Sequence, residues 1–399
     1  MTRIHQVIIF INNFSFGLII PVMNLILLER GASLKTLPIL MALYAVTVLC
    51  FELPSGICAD LYGRKKVFLI SCLTQLISML LLVFACDIIW LAFAIFFNGL
   101  SRSFASGSLD ALIIDQSLAI HGDTGLSKVT SRLAVLEGSG LAVGGIAGGF
   151  TAYAIGSQSN ILFRVGFTVL IFLLCIRYVK EMPDSEKGEW VSLPEHLKMG
   201  RDFVSSVPAL KLLLAGVFFY GFFIISLETY WQPAFMKMNA QTDNTWLLGV
   251  ITFASFIAAV SGNILSQKLL HKFPTHRWRF YYVSRIILSI GIVFLSLQKS
   301  SLGFLFGYIS IYLLTGTGNV AENTIVNQYT PNKMRASMLS VSSFLSQTGV
   351  MCSSIFSSIM VERLQISGIW RVTGIMLGSY VLFVTVITYL GKRKYRVSS

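Results

Sequence analysis

Long apolar runs broken by short polar turns fill this chain from end to end. A bilayer crossing takes roughly 20 apolar residues. Stretches of that kind lie at 6–28, 37–59, 67–85, 88–117, 129–155 and 160–178, and again at 208–232, 244–270, 280–297, 302–328, 336–361 and 367–390. The pattern predicts an all-α polytopic membrane protein of twelve transmembrane helices in two six-helix bundles. The bundles would be residues 1–179 and 208–399, joined by a linker at 180–207. That linker mixes Lys180, Glu181, Asp184, Glu186, Lys187, Glu189 and Glu195 with Pro183 and Pro194. Within it, 192–203 suits a short amphipathic helix at the membrane surface, with Trp190 and Leu197 towards lipid. The first apolar run starts almost at the N-terminus without a small-residue cleavage site, so it reads as a first span rather than a signal peptide.

Charge gives the pattern an orientation. Cations sit at Arg3, at 64–66, at Lys128 and Arg132, across 177–211 and 268–279, at Lys333 and Arg335, and across 392–396. The alternate connections hold chiefly Arg30, Lys35, Lys237, Lys299 and Arg363. By the positive-inside rule the first set is cytoplasmic, and so are both termini. The net charge of +13 is thereby placed in loops and does not point to nucleic acid. Only 12% of residues are charged, against about 25% in a soluble chain, and mean hydropathy is +0.73. Six cysteines lie in or beside apolar segments without CxxC spacing, which predicts free, buried thiols and no metal or cofactor.

Three stretches carry more than apolarity. In 52–66, Gly56-x-x-x-Asp60-x-x-Gly63-Arg64-Lys65 forms a basic turn between two apolar runs. Gly56 and Gly63 would allow close backbone approach, and Asp60 could meet the end of a neighbouring helix. In 138–149, Gly140, Gly144, Gly145, Gly148 and Gly149 supply small residues at helical spacing for close packing. In 102–115, Arg102, Asp110 and Asp115 lie within an otherwise apolar run, where ionisable groups face a partner or a cavity.

These stretches resemble the major facilitator superfamily, and within it the bacterial efflux branches. The 56–65 turn is similar to the signature between that family's second and third helices. The glycine run resembles the fifth-helix signature of its proton-driven antiporters, with Gly145 where that pattern has proline. Arg102 resembles the arginine of the fourth-helix signature associated with proton coupling. The resemblance implies the major facilitator fold, alternating access, a proton gradient as driving force and a bacterial plasma-membrane location. The second half echoes the basic turn weakly, with Ser266 and Leu269 where Asp60 and Gly63 stand, which implies an asymmetric gate.

Other polar residues in the apolar runs complete the candidates. Arg102, Asp110, Glu228 and Glu322 are proton-coupling candidates, since buried carboxyls can load and release protons. Asn12, Asn13, Tyr44, Tyr220, Tyr230, Trp231, Asn319 and Asn323 are candidates for a substrate cavity, although aromatics in spans also pack against one another. Gln75 and Gln347 suit either that cavity or bonding between helices. Glu52, Gly56, Asp60, Gly63, Arg64, Lys65, Asp115 and Arg335 are assigned to gating. Glu137 is a further acid in an apolar run, open to two readings: a proton carrier of less weight than these, or a cytoplasmic-end ion pair with Arg132.

Walker, GxSxG and HExxH patterns are missing, so the expected protein is a secondary transporter and not an enzyme. The expected function is proton-coupled export of small amphiphilic or drug-like molecules by a monomer in a lipid bilayer. Export of an endogenous polar metabolite such as a siderophore or metallophore, nutrient import, and a non-transporting sensor stay open as alternatives.

Overall fold

The computed structural model describes residues 2–121, 126–181, 201, 203–204, 207–239, 244–331 and 335–396. All regular elements among them are helical. They are α1 (Arg3–Ile19), α2 (Met23–Glu29), α3 (Leu37–Tyr62), α4 (Arg64–Phe84), α5 (Ile88–Ala105), α6 (Leu109–His121), α7 (Leu126–Ile155) and α8 (Ser157–Tyr178). Then follow α9 (Pro208–Met238), α10 (Thr245–Lys272), α11 (Arg277–Ser296), α12 (Ser301–Tyr329) and α13 (Arg335–Arg396). The amphipathic helix expected at 192–203 falls largely outside the described residues.

Among the described residues, nine helical stretches are long and apolar enough to cross a membrane, ten if α1 and α2 form one span bent by 48°. The bend sits at Pro21, which cannot continue the helical hydrogen-bond ladder. The run expected as one span at 88–117 is interrupted by a turn at 106–108. Gly107 there adopts φ 68, and the Ser108 hydroxyl donates to the Ala105 carbonyl at 2.9 Å. The apolar part of α3, Leu37–Glu52, is shorter than a full span. Helix α13 breaks at Gln365 (φ 57, ψ 174), between the two runs read from the sequence at 336–361 and 367–390.

The chain forms two compact units. One comprises Met1–Trp190 with Asn239–Phe256, the other Val191–Met238 with Ile257–Ser399. In the first unit, α1 packs on α7, α4 on α5 and α8, and α3 on α5. The α1–α7 contact follows from glycines four apart. A Cβ on Gly140 would meet the Phe10 carbonyl at 2.8 Å, while one on Gly144 or Gly148 would collide with the carbonyls of Phe14 or Leu18. Backbones touch there, as small-residue stripes allow in lipid. Gly145 and Gly149 form a second stripe, against Thr252 and Gly249 of α10, which explains why the first part of α10 belongs to this unit. Buried Asn160 of α8 ties the close contact together, donating to Leu18 O at 2.6 Å and Gly148 O at 2.8 Å. Apolar clusters around Leu27, Met79 and Ile161 and around Ile8, Phe68 and Ile171 fill the rest.

In the second unit α9 packs on α13, and α11 on α12 and α13. Its core is aromatic: Trp231 lies against Tyr308 at 4.9 Å between centroids, and Phe304 against Trp370 at 6.1 Å. Trp370 Nε1 donates to the Ser226 carbonyl at 3.0 Å, so the indole is buried without losing its bond.

Candidate functional site

Polar chemistry in the first unit gathers in a cavity of about 80 Å3 walled by α1, α3, α4, α5 and α8. Asn12, Asn13 and Tyr44 line it, as does Arg102, together with two residues given no such role by the sequence reading, Asn98 and Arg164. Arg164 is 5% exposed, and its Nη2 donates to Gln75 Oε1 at 3.0 Å. The guanidinium sits 4.8 Å from the centre of the Phe16 ring. Its Nε and Nη1, and Gln75 Nε2, are buried without hydrogen-bond partners. Gln75 is thus both a bonding residue between helices and part of the cavity wall.

Beside that cavity the unit holds a carboxyl pair. Asp110, on the first turn of α6, and Glu137 of α7 lie near enough to act on one another. Arg102, on the last turn of α5, is near enough to act electrostatically on both. Of the two readings of Glu137, the structure favours the acid over the Arg132 pair: the turn at 106–108 places Asp110 near it.

In the second unit, Glu322 of α12 lies opposite Arg285 of α11, Nη2 to Oε2 2.9 Å. The same Nη2 donates to Asn319 Oδ1 at 2.8 Å, and the guanidinium lies 4.3 Å from the centre of the Tyr220 ring. Asn319 Nδ2 reaches the Tyr220 hydroxyl at 3.5 Å. Gly318 makes room for this cation, because a Cβ there would fall 2.9 Å from Arg285 Nη1. Glu228 accepts from the Tyr312 hydroxyl at 3.2 Å, and Tyr312 accepts from Tyr308 at 3.3 Å. Tyr230 and Trp231 are buried, whereas Glu228 and Asn323 are exposed. Four predicted residues, Tyr220, Glu228, Asn319 and Glu322, thus join networks whose centres, Arg285 and Tyr312, the sequence reading passed over. Their signal was available: a lone arginine in an apolar run is costly unless it has work to do.

The gating residues divide. Arg64 Nη1 bonds Asp115 Oδ2 at 2.8 Å, and Gly63 (φ 99) ends α3 and starts α4. Here Glu181 enters. Its carboxylate accepts from the Lys65 backbone N–H at 3.1 Å, at the N-terminus of α4, where the helix dipole favours an anion. A Cβ on Gly63 would sit 2.6 Å from Glu181 Oε2. Lys65 Nζ in return donates to Ile176 O in the last turn of α8, at 3.0 Å. Gly56 has open space where close approach was expected, and Glu52 is exposed. The side chains of Asp60 and Arg335 lie outside the described ones. Of the six cysteines, Cys72 and Cys175 are buried, Cys50 and Cys86 are exposed, and Cys58 and Cys352 are half-buried, so burial holds for only two of them. No group of three or more metal-ligating side chains occurs among the described residues.

A family model described as the Major Facilitator Superfamily matches residues 7–328. The chain belongs to this superfamily. It is a multi-pass membrane protein and a secondary transporter of small molecules, not an enzyme. Multidrug resistance protein 2 of Bacillus subtilis is 24% identical over 276 residues, 67% of this chain and 66% of that protein. The multi-drug resistance efflux pump PmrA of Streptococcus pneumoniae is 25% identical over 337 residues, 81% of this chain and 79% of the pump. Among solved structures, the nucleoside transporter NupG superposes with a TM-score of 0.80 at 10% identity, covering 97% of this chain and 99% of that one. At that identity the likeness concerns the fold alone.

Proposed function

We propose that this transporter exports small amphiphilic or drug-like solutes from the cytoplasm of a bacterium in exchange for protons. Alternating access is the mechanism, with twelve spans and both termini cytoplasmic in the plasma membrane. The count of twelve takes α1 with α2, and α5 with α6, as one span each, and the two segments of α13 as two. A monomer carries enough helices for a pathway.

The observation that carries proton coupling is the Asp110–Glu137 pair beside Arg102. Two carboxyl groups this close repel one another when both are ionised, so the pair suits carrying a single proton. A solute that alters the distance between Arg102 and the pair would change proton occupancy, which is the link an antiporter requires. Arg285–Glu322 adds a third acid, whose protonation would remove its charge pairing with the arginine. The Arg64–Asp115 bond and the Glu181 seat act in gating, by holding the ends of α4, α6 and α8 together in one state. Export, as distinct from import, is supported by the relatives that are multidrug resistance proteins and efflux pumps and by the glycine stripes of α7.

The test is solute-driven proton movement in liposomes containing the purified protein. Asp110→Asn and Glu137→Gln should each abolish coupled flux while leaving the protein folded, and the Glu228→Gln/Glu322→Gln double variant should also fail. Counterflow fixes the direction. Solute flux without proton movement, or coupling that survives both single variants, would sink the antiport reading.

A further inference from the structure

Among the described residues, Arg164 is a buried cation without a countercharge. An arginine does not shed its proton inside a protein, and burying a charge is costly unless it is paired. Yet the described residues lining the cavity include no carboxylate, only a second arginine, Arg102. One bond to Gln75 and the face of Phe16 satisfy part of the guanidinium. Three buried donors remain idle on two neighbouring side chains: Arg164 Nε, Arg164 Nη1 and Gln75 Nε2. A planar guanidinium edge of this kind matches the two oxygens of a carboxylate.

The cavity has room for more than solvent. About 80 Å3 exceeds several-fold the ~10–15 Å3 that one water needs. Phe16, Tyr44 and Phe68 offer aromatic surface beside the donors, and Asn12 and Asn98 offer amides. A cationic amphiphile placed against Arg164 would face a like charge in a medium that screens it poorly.

We propose that this cavity binds the anionic group of the transported solute, an aromatic carboxylate or its near equivalent, against Arg164 and Gln75. The inference rests on the export reading above and narrows its substrate class from amphiphiles in general to organic anions.

Purified full-length protein is titrated with salicylate, benzoate and p-aminohippurate, with the neutral salicylamide and benzamide, and with tetraphenylphosphonium. Binding is followed by calorimetry and by the shift in unfolding temperature. At least one carboxylate should bind about tenfold or more tightly than its amide, as a charge-assisted bond predicts. Arg164→Gln should remove that preference and Arg164→Lys should retain part of it. If Arg164→Gln does not fold, Gln75→Leu serves, weakening the carboxylate and sparing the amide. Carboxylates that bind no better than amides would overturn the assignment. So would a preference that survives in folded Arg164→Gln, or one that equimolar chloride or phosphate reproduces. Carboxylate binding that depends on Arg164 but moves no protons in liposomes would uphold the site and reject antiport. Proton movement driven by tetraphenylphosphonium and indifferent to Arg164→Gln would do the opposite.

Discussion

Two buried arginines in this transporter have been treated in opposite ways. Arg285 has its counter-ion built in: Glu322 and Asn319 share its Nη2, and Tyr220 covers its face. Arg164 has an amide and a phenyl ring, and the cavity in front of it carries no acid among the described residues. Each leaves Nε and Nη1 without hydrogen-bond partners, so the difference between them is the carboxylate. A paired cation is part of the scaffold until its acid is protonated. An unpaired one is a standing cost to the fold, recovered when something negative arrives.

The comparison can be broken most sharply at Glu322. Glu322→Ala strands Arg285 and should cost about 3–5 kcal/mol, the usual penalty for removing one partner of a buried pair. Thermal unfolding in detergent reads it, and a loss under 1 kcal/mol would make Arg285 no better paired than Arg164. Replacing both partners, Arg285→Met with Glu322→Leu, should restore stability to within about 1 kcal/mol of the parent or exceed it, while coupled transport is lost. Arg164→Met should go the other way from Glu322→Ala, leaving stability unchanged or raising it by about 1 kcal/mol, because it removes a buried charge with no counter-ion among the described residues. A fall as large as that of Glu322→Ala would mean that the protein supplies Arg164 with a counter-ion. Gln75→Leu deletes one hydrogen bond to that cation and should cost about 1 kcal/mol. The smallest effect belongs to the partly exposed Arg64–Asp115 bond: Asp115→Asn should change stability by less than about 1 kcal/mol, and the difference should vanish in high salt.

The arginines also mark where sequence reading stops. Period and charge placed most helices correctly, and even the break of α13 at Gln365 falls between two runs set by composition. Apolar length is a local property and survives being read in one dimension. Partnership is not local. Glu322 lies 37 residues from Arg285, and Gln75 lies 89 from Arg164. Glu137 stays open between a proton carrier and a pair with Arg132, five residues away, because nothing in the spacing reveals that Gly107 turns the chain and brings Asp110 near it. The acids drew attention as proton carriers, while arginines within runs 160–178 and 280–297 were absorbed into the apolar count. Gly56 misled for a related reason: glycine licenses contact but does not say whether a neighbour is there.

The seat of Glu181 bears on the order in which the chain is made. The carboxylate reaches back 116 residues to the start of α4, and the apolar clusters of the first unit draw only on residues up to Val179. Translation therefore delivers Glu181 just after α8, before the first part of α10 that completes the unit. Chains fold as units from the N-terminus during synthesis. The Glu181 seat on α4 can thus form before α9 leaves the ribosome, while the stripe of Gly145 and Gly149 waits for α10. Glu181 works in this respect as a full stop at the end of the first clause of biogenesis.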